Sequence, residues 1–310
     1  MLKVGRWTIA TYLLPTFIVI VLINLYPIFY TFNLSFTNLS TFNYLSGDSK
    51  YVGFKNFQYV IRQTGGAFVQ VLLFTALYVV ACVGIYVTLG LVTAMALNHP
   101  RVRGKGFWGN ALILPWTVPT FVTALIWKFL YNYNFGPINQ IIRIFTHNPK
   151  SGILWLDQPL PAFIAVVVVN IWMSYPFFMV VSLGALQSIP QELLEAAEVD
   201  GSSGWQRFRY IMLPLLRPAL LPATILSAIT TFQMFNTVFL ITGGGPFTSG
   251  NINNPGSTEF LMVYMYDRVQ NGGNLFINYG QVGAIAVLVF IVLFVLTILS
   301  LRFTNIAKEA

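Results

Sequence analysis

Charge, cysteine and histidine are all scarce in this chain, and each scarcity removes a class of function. Only 8% of the 310 residues are charged, where a soluble domain carries about 25%, so most of the surface must face something other than water. Cys82 is the single cysteine and stands in an apolar run, which leaves no disulfide framework and no thiolate metal site. His99 and His147 are the only histidines, too little from which to expect a metal centre. A Gly-x-x-x-x-Gly-Lys-Ser/Thr loop is missing, since Gly104-Lys105-Gly106 lacks both the upstream glycine and the hydroxyl. No nucleophile, histidine and carboxylate group together either. Catalysis and a resident cofactor are therefore not expected in this chain.

What it has instead is apolar length. Hydrophobic residues make up 56% and aromatics 16%, with a mean hydropathy of +0.70. Crossing the hydrocarbon takes about 20 apolar residues in a helix, and six segments qualify: Ile9 to Phe32, Phe68 to Leu97, Phe107 to Leu130, Pro161 to Leu186, Ala219 to Ile241, and Val282 to Leu301. The expected fold is an all-α polytopic membrane protein. The first segment follows Lys3 and Arg6 as a signal peptide would. Its run is much longer than an h-region of about 7–15 residues, and no small-residue cleavage site follows, so it reads as a retained anchor. Residues 1–66 then form a first helix and outer loop, 67–301 a five-span core, and 302–310 a short cytoplasmic tail.

The net charge of +8 would suggest nucleic acid in a soluble protein. Here basic residues in cytoplasmic loops account for it, and no nucleic-acid partner is expected. The short, purely basic loop Arg101-Val-Arg-Gly-Lys105 weighs most and favours both termini inside. That places residues 192–218 in the cytoplasm, between the fourth and fifth spans. The longer outer segments 33–66, 131–160 and 242–280 carry turn signals such as Gly243-Gly-Gly-Pro246 and Asn271-Gly-Gly273.

Residues 192–218 are the most polar stretch. Ser188-Ile-Pro-Gln191 has the form of a capping box, with Pro190 in a first turn where its missing N–H does no harm. A helix from Ile189 to Asp200 would stop at Gly201, the usual residue for a left-handed cap. Glu192, Glu195 and Glu198 recur every three residues as an acidic stripe, and Ala196 and Ala197 leave a shallow surface beside it. A second short helix after Ser202 or Ser203 would carry Trp205, Phe208 and Ile211 or Met212 on one face, and Leu213-Pro214 and Arg217-Pro218 would break the chain before the fifth span. A solvated loop on the inner leaflet is the plain alternative, but anionic headgroups repel an acidic stripe. A helix that docks on another protein fits better.

Within the spans, three sets of polar or aromatic residues recur at helical spacing. Trp116 and Thr120 are four apart and bracketed by Pro115 and Pro119; Ser174 and Phe177 are three apart beside Pro176; Gln233, Asn236 and Thr237 share one face of a continuous helix. Ordinary helix–helix hydrogen bonding and packing would explain each. A solute path would explain them too, with amides and hydroxyls bonding substrate hydroxyls and rings covering C–H faces. No acidic residue sits mid-span, so a proton-coupled secondary transporter acting alone is disfavoured.

The run Glu195-Ala-Ala-x-x-Asp-Gly201 followed by Leu213-Pro214 resembles the EAA motif of permease subunits in type I ATP-binding-cassette importers. Arg103-Gly-Lys105, Leu112-Ile-Leu-Pro-Trp-x-Val-Pro119, Phe135-Gly136 with Ile138-Asn139, and Phe239-Leu-Ile-Thr-Gly-Gly-Gly-Pro246 are similar to blocks of the MalF-like sugar-importer branch. The resemblance implies that Glu192, Glu195, Ala196, Ala197, Asp200, Gly201, Leu213 and Pro214 couple the chain to an ATPase, and that Trp116, Thr120, Ser174, Phe177, Gln233, Asn236 and Thr237 line a sugar path. It implies a second homologous permease, an ATPase dimer holding ATP and Mg, an extracytoplasmic sugar-binding protein, and a bacterial or archaeal plasma membrane. The same machine carrying another solute, such as a glycerol phosphate ester, is the nearer rival. An anionic substrate would want basic residues near the path, where only Lys128 is close.

Overall fold

The computed structural model describes residues 6–44, 46–63, 66–247, 254–270 and 277–309; the turn signal at 271–273 lies outside them. In chain order the helices are α1 (Arg6–Val19), α2 (Tyr26–Leu34), α3 (Thr41–Tyr44), α4 (Lys55–Gln58), α5 (Ala67–Asn98), α6 (Lys105–Thr117), α7 (Thr120–Leu130), α8 (Pro137–Thr146), α9 (Pro159–Gln187), α10 (Gln191–Val199), α11 (Gly204–Arg207), α12 (Leu213–Phe232), α13 (Asn236–Thr242), α14 (Leu261–Gln270) and α15 (Tyr279–Glu309). Wider, π-type turns occupy Ile20–Leu25, Tyr59–Gln63 and Phe208–Met212. No strand forms among the described residues, and Thr37 and Tyr51 make an isolated bridge. Among the described residues five helical runs are long and apolar enough to span a membrane, six if a bent pair counts as one span.

Two of the expected spans are not simple rods. The third breaks between α6 and α7 with a bend of 93°. Proline disfavours helical backbone in the residue before it, and Val118 is extended accordingly (φ −79, ψ 130) ahead of Pro119. The fifth begins earlier than expected and ends earlier: helix runs from Gly204 to Phe232, the chain leaves it at Gln233–Phe235, and α13 restarts at Asn236. Leu213-Pro214 does not break the chain here. In the widened turn before it the Leu213 N–H donates to the Phe208 carbonyl, and Pro214 sits in the first turn of α12, where a missing N–H costs least.

The chain divides into two compact units, residues 1–68 with 265–292, and 69–264 with 293–310. In the first, Asn56 is buried and its amide donates to the carbonyls of Ser35 (2.8 Å) and Thr37 (2.7 Å). Gly280 lies so close to the Thr37 carbonyl that a Cβ would fall 2.0 Å from it. The Thr41 hydroxyl accepts from the Ile277 N–H at 2.7 Å. Phe36 gathers the rings of Phe32, Tyr51, Phe54 and Phe57.

The second unit is built on α9, which buries Ala165, Val166, Val169, Met173, Phe178 and Met179. Helices α6, α7, α12 and α13 pack against it. Along α5, Tyr78, Cys82, Tyr86 and Ala94 recur every four residues or a multiple of four and are fully buried, which gives one packed stripe. Tyr86 stacks on Phe178 at 5.2 Å. Tyr78 stacks on Phe260 at 4.3 Å and accepts a 2.6 Å hydrogen bond from Asn170. Gly90 extends the stripe at a point where the α9 backbone at Phe178–Met179 leaves no room for a Cβ. The Gly243-Gly-Gly-Pro246 block folds as a tight turn: Gly243 and Gly244 take φ of 61° and 86°, and the Thr258 hydroxyl donates to the Gly245 carbonyl at 2.6 Å.

Candidate functional site: the α10–α11 corner and the broken spans

Helix α10 follows α9 after three residues, and the expected capping box at Ser188 does not form. Ser188 caps the end of α9, and its hydroxyl donates backward to the Ala185 carbonyl at 2.8 Å. The box forms instead at the start of α11, where the Ser203 hydroxyl accepts from the Gln206 N–H at 3.3 Å and the Gln206 side chain accepts from the Ser203 N–H at 2.7 Å. The glycine stop is as expected. Gly201 is left-handed at φ 78°, its N–H donates to the Glu198 carbonyl, and the Ser202 N–H donates to the Ala197 carbonyl, both at 3.0 Å. This pair of bonds is a complete Schellman cap.

The three glutamates divide rather than line up. A three-residue spacing falls about 60° short of a full turn at each step, so Glu192 and Glu198 lie about 120° apart on α10. Gln191, Leu194, Glu195 and Glu198 face an open groove of about 660 Å³, whose other walls are the end of α5, the α9–α10 turn and α11. Glu198 pairs there with Arg207 at 2.6 Å. Such an exposed pair contributes about 0–1 kcal/mol and links α10 to α11. The adjoining face of α10, outside the groove, carries Glu192, Ala196 and Val199, all exposed. Val199 is 88% exposed, and Trp205, in ring contact with Phe208 at 5.4 Å, is exposed on α11. Val199 was missed in the sequence, although a lone valine among polar neighbours was the available signal. Asp200 is exposed at the helix end, and Leu213 and Pro214 open α12.

In the spans the structure brings together some of the expected residues and separates others. Trp116 and Phe177 meet with ring centroids 6.0 Å apart. Thr120 is exposed and opens α7 just past the break. Ser174 turns into the helix bundle: its hydroxyl donates to the Asn170 side chain at 3.0 Å, and Asn170 donates on to Tyr78. Gln233, Asn236 and Thr237 do not share one face of a continuous helix, because the chain breaks between the first and the other two. Gln233 ends α12 and Asn236 starts α13, both exposed, while Thr237 is buried with its hydroxyl directed at the Met234 sulfur (3.4 Å). Asn170 is the polar residue that sequence reasoning passed over, though a mid-span asparagine four residues before Ser174 was visible. Replacing it with leucine would take the Asn170 donor from the buried Tyr78 hydroxyl and the acceptor from Ser174, at a cost of about 1–3 kcal/mol. The expected outcome is a lower thermal midpoint for the purified Asn170→Leu protein, followed by loss of monodispersity on heating.

Comparisons agree with this architecture. Residues 86–308 match the family model described as binding-protein-dependent transport system inner membrane component. The chain is 32% identical over 297 residues to the trehalose/maltose transport system permease protein MalF of Thermococcus litoralis, covering 96% of this chain and 93% of that one. It is 32% identical over 301 residues to the galactooligosaccharides transport system permease protein GanP of Bacillus subtilis, covering 95% of this chain and 69% of that one. A subunit of a bacterial alginate ABC transporter, solved in complex with a periplasmic protein bound to an alginate pentasaccharide, superposes with a TM-score of 0.75 at 20% identity, over 97% of this chain and 96% of that chain; at that identity the likeness is one of fold. The chain belongs to the binding-protein-dependent transport system inner membrane components, as a multi-pass permease of the MalF-like ABC sugar-importer type.

Proposed function

We propose that this chain carries a neutral di- or oligosaccharide, of maltose or trehalose type, across the plasma membrane, with both termini and the α10–α11 corner in the cytoplasm. The sugar arrives from an extracytoplasmic binding protein, as the solved alginate transporter receives its pentasaccharide-bound periplasmic protein. A second, homologous permease completes the path. Two ATPase subunits, which hold the ATP and Mg, close on α10 and rock the permeases between inward- and outward-facing states.

The observation that carries this reading is the corner itself. Its bends are held by a Schellman cap, a capping box and an ion pair, yet Val199 and Trp205 stay largely exposed there, 88% and 70%. A rigid corner with uncovered apolar side chains is built to transmit a push. For the sugar, the Trp116–Phe177 pair supplies a ring surface for C–H faces, and exposed Thr120, Gln233 and Asn236 supply polar groups beside the two helix breaks.

Asn236→Leu should lower sugar-stimulated ATP hydrolysis and uptake several-fold without changing how much assembled transporter is recovered. Radiolabelled maltose and trehalose in proteoliposomes, with and without the cognate binding protein, provide the assay. Unchanged rates would reduce Asn236 to a packing residue. Uptake of glycerol phosphate in place of the disaccharides would replace the sugar reading with its rival.

A further inference from the structure

We propose that α8 is an interfacial helix whose Ile141, Ile144 and Phe145 lie among lipid acyl chains at the headgroup boundary, on the membrane face opposite the α10–α11 corner. The side follows from connectivity: α8 precedes the membrane-spanning α9, and α10 follows it.

A surface helix of a globular protein turns its apolar stripe toward the core, but α8 is inverted. Its polar face is the one tied to the protein. Arg143 donates to the carbonyls of Tyr133 (2.6 Å), Asn134 (2.8 Å) and Ser151 (3.1 Å), and its guanidinium lies over the Tyr133 ring. Asn139 is buried and brackets the Ile153 backbone, donating to its carbonyl at 3.0 Å and accepting from its N–H at 2.9 Å. Gly136 lets the chain turn into α8 where a Cβ would fall 2.4 Å from the Asn132 carbonyl. With that face anchored, Ile144 and Phe145 are left 70% and 80% exposed.

Lipid is the occupant that the surroundings select. Just before α8, the exposed Phe135 ring touches the exposed Phe129 ring of α7 at 5.9 Å. On α7, Phe121, Leu125 and Phe129, spaced four residues apart, form an exposed apolar stripe on a helix of the bent pair. Seams between membrane helices favour small residues that allow backbones to approach, and the exposed side of α8 offers isoleucine and phenylalanine instead. Exposed Lys150 just beyond the helix supplies the cationic flank that interfacial helices place toward headgroups.

The test uses the assembled transporter in nanodiscs of phosphatidylcholine and phosphatidylglycerol. Spin labels are placed singly by Ile144→Cys, Phe145→Cys and Lys150→Cys, with Cys82→Ala in each. Collisions with oxygen, which partitions into lipid, are compared with collisions with a water-soluble nickel chelate. Labels at Ile144 and Phe145 should show an oxygen-to-nickel ratio several-fold above that at Lys150. Low collision rates with both probes would mean that another protein subunit covers α8, and nickel access equal to that at Lys150 would mean that the helix stands in water. Either result overturns the proposal.

Discussion

Gly201→Val is expected to reduce ATP-driven transport by about 5–30-fold while leaving the spans inserted. The residue occupies left-handed backbone at φ 78°, a conformation that costs an L-residue roughly 1–2 kcal/mol, and a cost of that size shifts a conformational equilibrium by about that factor. Space is not the difficulty, because a Cβ there meets nothing within 4 Å. What is lost is the cap: if residue 201 leaves the left-handed region, the Gly201 and Ser202 N–H groups withdraw from the Glu198 and Ala197 carbonyls. Helix α10 then frays at the end that carries Val199. Gly201→Asn should retain much of the activity, since asparagine tolerates this backbone best among residues with a side chain. Uptake and ATPase co-purification, measured for the pair, check the argument. Equal activity in the valine and asparagine variants would remove the cap from the mechanism.

Gly90→Leu should act on the fold instead, with loss of most of the monodisperse protein after extraction. A Cβ at Gly90 would lie 2.5 Å from the Phe178 Cβ and 2.8 Å from the Met179 nitrogen, so α5 and α9 must separate. Overpacking of a filled core costs about 1–3 kcal/mol, and separation here also loosens the Tyr86–Phe178 stack and the Tyr78–Asn170 bond. Gly84→Leu on the same helix is the contrast, because its Cβ meets nothing within 4 Å. Size-exclusion profiles and thermal midpoints of the two variants should diverge. Similar behaviour would mean that the close approach at Gly90 is not needed.

Local chemistry decides which of these features could be read from the residues alone. The Gly201 stop was legible because few residues other than glycine take that backbone cheaply. Pro119 likewise marks the break in the third span, although a 93° bend is more than the proline alone announces. The break at Gln233–Phe235 has neither proline nor glycine, so apolar continuity carried the expected helix straight across it. Ser188 and Ser203 both satisfy a capping pattern with a glutamine three residues on. Only the length of α9 shows that the first hydroxyl is already taken. The inverted orientation of α8 was not legible either, since its periodicity shows two faces but not which one the rest of the chain holds.

The most direct test of the central claim is disaccharide uptake into proteoliposomes that hold this chain with its partner permease, with and without the ATPase subunits, under saturating binding protein. Uptake should require the ATPase and ATP together and should fall sharply when Val199→Asp places a charge on the outward face of α10. Uptake that persists without the ATPase, driven by the sugar gradient or by an imposed proton gradient, would contradict the account.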